Sequence, residues 1–197
     1  MPIPKVLIIP GSLRTGSHNA RLAALAAKEL VLLEAEVTRI SLEDYTLPLF
    51  DADLITGSGL PRQATDLKNM LAAHQGVFIA SPEYSASVSP LIKNAIDWMS
   101  RGRDSSEPSY AVFKSRVFAL GAAANGAAGG VRGLMALRQV LELGCGALVI
   151  PEQIAVGRAS QAFDDMDNLT DEALAKSLKG LARRLVEMAS LMPRGTG

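Results

Sequence analysis

The sequence is poor in the residue types that bind metals or form cross-links. It contains one cysteine and two histidines among 197 residues. Cys145 has no partner for an intramolecular disulfide and no basic neighbour, so we predict a buried core cysteine rather than a reactive thiolate. With so few nitrogen and sulfur ligands, a zinc site of the usual type cannot be assembled, and we predict no metal centre.

The chain also lacks net charge and long apolar runs. Twenty basic residues balance twenty acidic ones, so no global field would attract nucleic acid or an anionic membrane. The amino-terminal apolar run, residues 6–9, is too short for a secretion signal or a bilayer span. We predict a cytoplasmic protein that neither binds nucleic acid nor inserts into membranes. Its 48% apolar content predicts a single domain over residues 1–197.

Short apolar runs alternate with helical patterns along the chain. The predicted strands are residues 5–10, 36–41, 76–81, 115–120 and 147–151. The predicted helices are residues 19–34, 61–74, 90–99, 130–143 and 170–191. We expect Ser89 and Thr170 to be the N-caps of the third and fifth helices. Long connectors, which often line a site, remain at residues 42–60, 101–114 and 151–169.

Five strands alternating with five helices predict a doubly wound α/β fold. Right-handed crossovers place helices on both faces of a parallel sheet. The commoner strand order for five strands is 2-1-3-4-5, and ligands then bind outside the carboxyl ends of the first and third strands. The loops that follow these two strands are therefore the candidates for a site.

The loop after the first strand brings three hydroxyls, an arginine and an amide to the start of a helix. Its sequence is Gly11-Ser12-Leu13-Arg14-Thr15-Gly16-Ser17-His18-Asn19. Free backbone N–H groups, the helix dipole and short side-chain donors together favour one phosphate group. The loop matches neither the P-loop nor the dinucleotide pattern, which disfavours nucleoside triphosphates and tightly held NAD. An ordinary capped turn with a solvated arginine is the alternative.

The loop after the third strand combines a proline, an aromatic ring and further hydroxyls. Its sequence is Ser81-Pro82-Glu83-Tyr84-Ser85-Ala86-Ser87. A planar tricyclic ligand needs a flat apolar wall and backbone donors, and such a loop can supply both. A plain turn with an exposed tyrosine is the alternative.

Three separated segments are similar to the signature of one flavoenzyme family. They are Gly11-Ser12-Leu13-Arg14-x-Gly16-Ser17-x-Asn19, Ser81-Pro82-Glu83-Tyr84 and Lys93-Asn94-Ala95-Ile96-Asp97-Trp98. Together they resemble the NAD(P)H-dependent FMN reductases, especially the bacterial quinone and chromate reductases. Similarity at residues 47–53 and 137–141 extends the resemblance over residues 4–192.

The resemblance implies a flavodoxin-like fold that binds FMN and takes electrons from NADPH or NADH. The implied acceptors are quinones, flavins, azo compounds or oxyanions such as chromate. A homodimer or homotetramer is implied too, with the helix near residues 94–98 at an interface and the flavin close to a neighbouring subunit. The implied cofactor-binding residues are Ser12, Leu13, Arg14, Thr15, Gly16, Ser17, His18 and Asn19 around the phosphate, Pro82, Glu83, Tyr84 and Ser85 beside the ring, and Ala123 in a third loop.

The sequence departs from the family pattern at two of these positions. Ser85 stands where the family has asparagine, and Ala123 stands where serine or threonine is common. Losing one hydroxyl costs a single hydrogen bond, on the order of 0.5–1.5 kcal/mol, so we expect FMN binding to survive. We assign no catalytic side chain, since flavin carries the difficult chemistry. A flavodoxin-like electron carrier and a flavin-free interaction protein are the alternative functions.

Overall fold

A parallel sheet forms the centre of the computed structural model, which describes residues 3–103 and 106–193. The strands are β1 (Lys5–Pro10), β2 (Glu36–Arg39), β3 (Gly76–Ala80), β4 (Glu83–Tyr84), β5 (Ser87–Val88), β6 (Val117–Ala123) and β7 (Leu148–Val156). Five of them form the parallel sheet in the order β2-β1-β3-β6-β7, and β4 pairs with β5 in a separate antiparallel hairpin. The predicted fold class and strand order are confirmed.

Helices cover both faces of this sheet. They are α1 (His18–Leu32), α2 (Ala52–Ser58), α3 (Arg62–Ala72), α4 (Pro90–Met99), α5 (Ala111–Lys114), α6 (Val131–Gln139) and α7 (Glu172–Ala189). The short helices α2 and α5 and a 3-10 helix at Leu42–Tyr45 lie where the sequence pattern predicted connectors. The prediction of plain connectors was therefore wrong at these helices. No apolar period marks α2, because it buries no residue, and α5 has only four residues, too few to show a helical period. Among the described residues, no helix is long and apolar enough to cross a bilayer.

The core has two parts, one on each face of the sheet. Leu22 of α1 and Leu185 of α7 pack with Ile8 and Phe78 on one face. On the other face, α3, α4 and α6 pack against the remaining strand side chains. Every residue of β3 and β6 is buried, as expected for parallel strands covered on both sides.

The last two strands extend further than the sequence pattern indicated. β6 continues to Ala123 and β7 passes through Pro151 to Val156, whereas the predicted strands ended at residues 120 and 151. Proline is tolerated here because β7 is an edge strand whose register shifts at this point, and prolines in sheets occur at edges and bulges. The Arg138 guanidinium donates to the Ile150 carbonyl at 2.9 Å beside the irregularity.

The ends of α1, α3, α6 and α7 differ from the prediction, and two of the differences concern a cap or a change of helix type. Asp171 caps α7 by accepting hydrogen bonds from the N–H groups of Ala173 and Leu174 at 2.8 and 3.1 Å. The helix therefore begins one residue after Asp171, and Thr170 is not its N-cap as predicted. The predicted helix over residues 130–143 ends as an α-helix at Gln139 and continues as a π-helical turn, Val140–Gly144.

The start of α4 is tied to the carboxyl end of β1. Ser89 is fully buried, and its Oγ accepts from the Ile92 N–H at 3.3 Å and donates to the Gly11 carbonyl at 3.1 Å. A Cβ on Gly11 would lie 2.7 Å from Ile92 Cγ1, so only glycine allows this approach. The predicted cap at Ser89 is confirmed, and it fixes the edge of the sheet where the loops meet.

Candidate functional site

A cleft of about 190 Å³ lies at the carboxyl ends of β1, β3 and β6. Three segments border it: residues 11–19, here the first loop; residues 81–89, here the hairpin segment; and residues 124–130, here the third loop. The residues that line the cleft are Ser12, Arg14, Ser17, His18, Asn19, Pro82, Glu83, Tyr84, Ala123, Ala124 and Asn125. The structure thus brings together most residues of the predicted site.

Free backbone donors collect at the start of α1. Ser17 is the N-cap, and its Oγ accepts from the Ala20 N–H at 3.3 Å. The N–H groups of the first two helical residues, His18 and Asn19, have no acceptor in the described part of the chain. Those of Thr15 and Gly16 in the preceding turn also lack one. Unsatisfied N–H groups at a helix start form an anion-binding site.

Arg14 adds a positive charge to this turn. Its guanidinium donates to the Gly16 carbonyl at 3.1 Å and to the Thr15 carbonyl at 3.4 Å, and no carboxylate pairs with it among the described residues. Since Arg14 is exposed and borders the cleft, its charge faces the same space as the free N–H groups. An anion there would meet both.

The Asn19 side chain binds the protein itself. Asn19 is 3% exposed; its Nδ2 donates to the Ala123 carbonyl and its Oδ1 accepts from the Ala123 N–H, each at 2.9 Å. This two-bond clamp joins the first loop to the end of β6. The part of Asn19 left for an anion is its backbone N–H.

His18 offers an unpartnered ring nitrogen beside the same turn. Its Nδ1 is buried and has no hydrogen-bond partner within residues 3–103 and 106–193. Burial, and then the charges of Arg14 and Arg21, lower the pKa of His18 below its ordinary value of 6.5. The imidazole is therefore neutral at pH 7, with one N–H able to donate to an anion.

The hairpin turn has an unusual backbone conformation. Its central residues, Ser85 and Ala86, have φ of 48° and 60°, the left-handed geometry of a tight hairpin turn that asparagine and glycine adopt most readily. Tyr84, 49% exposed, stands just before the turn and lines the cleft. The turn therefore presents an aromatic ring and exposed backbone to a ligand.

Glu83 is held by the start of α6. Glu83 Oε1 accepts from Arg132 Nε at 2.9 Å and from Arg132 Nη2, and Oε2 accepts from the Gly133 N–H at 3.0 Å. Burial would raise the pKa of Glu83, but hydrogen bonds from Arg132 and Gly133 outweigh it and lower the pKa below its ordinary value. The carboxylate is ionised at neutral pH and directed at the helix.

Four predicted residues do not line the cleft. Leu13 lines two neighbouring cavities, while Thr15, Gly16 and Ser85 are exposed beside the cleft. Two lining residues, Ala124 and Asn125, were not predicted individually. The run of alanine and glycine around these two residues was the sequence feature that could have indicated them, since small residues let a ligand approach the backbone closely. Asn125 Oδ1 accepts from the Ser160 N–H at 3.0 Å, a contact that no local pattern indicates.

The helix implied at an interface is engaged within its own chain. Trp98 is fully buried, and its Nε1 donates to the Pro48 carbonyl at 2.8 Å. Asn94 Nδ2 donates to the same carbonyl at 2.9 Å, and Asn94 Oδ1 accepts from the Phe50 N–H at 2.8 Å. These side chains fasten the segment after the 3-10 helix to α4.

The lining fits an FMN molecule in chemical terms. A phosphate monoester suits the free N–H groups, the hydroxyls of Ser12 and Ser17, and Arg14. A planar ring suits Pro82, Tyr84 and the small side chains of Ala123 and Ala124, which line the other part of the cleft. One end of the cleft is therefore an anion site and the other a narrow slot with little side-chain bulk.

Comparison with known proteins identifies the family. A family model described as NADPH-dependent FMN reductase matches residues 4–161. The chain is 34% identical over 170 residues to an NAD(P)H-dependent FMN reductase of Pseudomonas aeruginosa, covering 85% of each. It is 35% identical over 138 residues to a quinone reductase of Escherichia coli K12, covering 70% of this chain and 69% of that one.

A solved structure agrees with this assignment. The flavoenzyme NAD(P)H:acceptor oxidoreductase of Paracoccus denitrificans has a TM-score of 0.79 and 25% identity, and the match covers 95% of this chain and 98% of that one. The family match and the curated relatives show the family, and this solved structure has the same fold. The chain belongs to the NADPH-dependent FMN reductase family of flavin-dependent oxidoreductases.

Proposed function

We propose that this enzyme binds FMN in the cleft between the first loop, the hairpin segment and the third loop, and passes electrons from NADPH or NADH to a small acceptor. Quinones, flavins, azo compounds and oxyanions such as chromate are the proposed acceptors. The observation that carries the proposal is the group of free N–H donors at Thr15, Gly16, His18 and Asn19 beside Arg14. They face a slot bordered by Tyr84 and Ala123.

The first loop binds the phosphate group of FMN. The N–H groups of Thr15, Gly16, His18 and Asn19, with the Ser17 hydroxyl, hold the phosphate, and Arg14 supplies charge. Ser17 can do this while capping α1, because its oxygen accepts from Ala20 and its proton remains free to donate.

The hairpin segment and the third loop hold the ring. Pro82 and Tyr84 supply apolar surface, and the backbone of residues 83–85 supplies donors for the ring edge. Ala123 and Ala124 leave room for the ring because their side chains are small. Leu13 and Ser85 border the site without lining the cleft.

Bound FMN supplies hydride acceptance and subsequent electron transfer, so the protein needs no catalytic acid or base of its own. The chain binds and orients the cofactor, and backbone dipoles stabilise negative charge at the ring edge. Donor and acceptor would use the same open side of the cleft in turn, which predicts double-displacement kinetics.

We further propose that residues 1–197 form a single flavin-binding domain that works in the cytoplasm as a homodimer or homotetramer. Curated relatives aligned over most of their length support the single domain. The dependence on NADPH or NADH in the family description supports the cytoplasmic location, where these donors are made. Sedimentation of the holoprotein will give the oligomeric state.

The test is the visible spectrum of the FMN-loaded protein under anaerobic conditions. We expect the flavin absorption to bleach on adding NADPH or NADH and to return on adding a quinone. Arg14→Met should weaken FMN binding roughly tenfold, as expected for a lost charge-assisted hydrogen bond to phosphate. Arg62→Met is the matched control, since the Arg62 side chain is 90% exposed and, within the described part of the chain, its one ion pair is with Asp66.

Two results would contradict the proposal. A protein that binds no FMN at micromolar concentration lacks the proposed site. A protein that binds FMN but whose spectrum is indifferent to both nicotinamides is an electron carrier and not a reductase. If Arg14→Met and Arg62→Met bind FMN equally well, the phosphate lies elsewhere.

A further inference from the structure

The helix α6 begins without a capping side chain of its own. Its N-cap is Gly130, with φ of 88°, and glycine has no side chain to accept from the first N–H groups. In α1, α4 and α7 a serine or aspartate fills this role. The Val131 N–H donates to the Ala128 carbonyl at 3.2 Å, so the N–H groups that follow it are the ones that need a capping acceptor from another part of the chain.

Glu83 supplies that cap from 50 residues away. Its Oε2 accepts from the Gly133 N–H at 3.0 Å, in the first turn of α6, while its Oε1 accepts from Arg132. The Glu83 side chain is 9% exposed and that of Arg132 is 64% exposed. A carboxylate at the positive end of a helix is stabilised by the dipole as well as by the hydrogen bonds.

The contact between hairpin and helix is also tight. A Cβ on Gly133 would lie 3.1 Å from Glu83 Cα, from Glu83 Cβ and from the Ser87 carbonyl. The helix backbone therefore rests directly on the hairpin, with no side chain between them. A shift of α6 must therefore move the backbone of Glu83, and a shift of the hairpin must move α6.

We propose that Glu83 is a positioning residue that uses Arg132 and Gly133 to fix the hairpin backbone against which the flavin ring binds. The proposal rests on the function proposed above. Both carboxylate oxygens are engaged by α6, so Glu83 acts on the ring through the placement of residues 83–85. Breaking the contacts of Glu83 with Arg132 and Gly133, here called the lock, should weaken FMN binding. The loss should be larger for reduced FMN than for oxidised FMN, because the ring edge of reduced FMN carries the negative charge that backbone donors stabilise.

The test is Glu83→Gln in the FMN-loaded protein, measured by FMN affinity and by the flavin midpoint potential. We expect oxidised FMN to bind about tenfold more weakly and reduced FMN about a further threefold. Since a tenfold difference corresponds to about 30 mV for a two-electron couple, the potential should fall by about 15 mV. The double variant Glu83→Gln/Arg132→Gln should be no worse than the single, because both changes break the same unit.

Asp66→Asn is the matched control, an acid-to-amide change in the exposed ion pair with Arg62. It should leave affinity and potential unchanged. If Glu83→Gln does not fold, Arg132→Met serves instead, because it retains the Glu83 bond to the Gly133 N–H; the same shifts are then expected at smaller size.

The proposal fails if the folded variant keeps the affinity and potential of the parent protein. It fails equally if only the thermal stability drops, because the lock then serves α6 alone. These results differ from failure of the proposed function, in which the parent protein itself would bind no FMN or would not respond to NADPH.

Discussion

Replacing Asn19 with alanine tests the clamp that joins the first loop to the end of β6. The Asn19 amide makes two hydrogen bonds of 2.9 Å with the backbone of Ala123, and the side chain is almost fully buried. Alanine cannot replace either bond. The Ala123 N–H and carbonyl would both be left unpaired at a buried position.

The expected loss follows from these two groups. An unsatisfied buried backbone group costs about 1–3 kcal/mol, so two of them lower the free energy of unfolding by roughly 2–6 kcal/mol, with a central value of about 4 kcal/mol. The better helix propensity of alanine offsets less than about 1 kcal/mol. For a chain of this length, about 3 kcal/mol lowers Tm by roughly 6–12 °C.

The assay is thermal unfolding of the protein without FMN, followed by circular dichroism. Asn69→Ala is the control, because Asn69 is exposed on α3 and its side chain makes no hydrogen bond among the described residues. Asn19→Asp keeps an acceptor for the Ala123 N–H but sets a carboxylate against the Ala123 carbonyl, so it should be at least as unstable at pH 7. A Tm for Asn19→Ala within about 2 °C of the parent protein would refute the clamp.

Three further predictions concern other parts of the fold. Arg116→Met should lower the unfolding free energy by about 3 kcal/mol in urea titrations, because it removes the buried guanidinium's hydrogen bonds to the carbonyls of Ala72, Val112 (3.2 Å) and Leu71 (2.7 Å), of which Leu71 keeps a longer bond from the His74 N–H at 3.3 Å; an unchanged midpoint would contradict this. Ala86→Gly should stabilise the protein by about 0.5–1 kcal/mol, since Ala86 has φ of 60° and glycine relieves the strain; a loss of stability would show that the turn is unstrained. Burial raises the pKa of Cys145 to about 11, so a thiol reagent should not label the folded protein at pH 8. The unfolded thiol ionises first, so stability should fall as pH rises from about 9 to 11, and Cys145→Ala should flatten this fall.

The sheet could be predicted because apolar content marks its strands. β1 and β3 are short runs buried on both faces, and helices with clear apolar stripes separate them, so strand order followed from general rules of connection. Element ends were harder to predict. Pro151 suggested the end of a strand, but its place on an edge strand at a register shift removes the usual penalty.

The candidate site was predictable at the level of loops. The first loop has hydroxyls, an arginine and a helix start within nine residues, so its chemistry is local. The contacts of Asn19 and Glu83 are not local, because their partners lie 104 and 50 residues away. Both are polar residues in candidate loops, and sequence alone cannot show whether such a side chain faces a ligand or the protein.

This distinction explains the alanine at position 123. The resemblance placed a hydroxyl there as a ligand donor, yet the structure uses this position through its backbone: the Ala123 N–H and carbonyl hold Asn19. A backbone contact does not depend on the side chain, so alanine preserves it. The first loop is held by Ala123 and the hairpin by the start of α6, so the backbone between residues 123 and 133 links both surfaces that would contact FMN. Small residues suit that segment because they let the first loop and the hairpin segment approach its backbone closely. The side-chain donors for FMN then lie in the first loop.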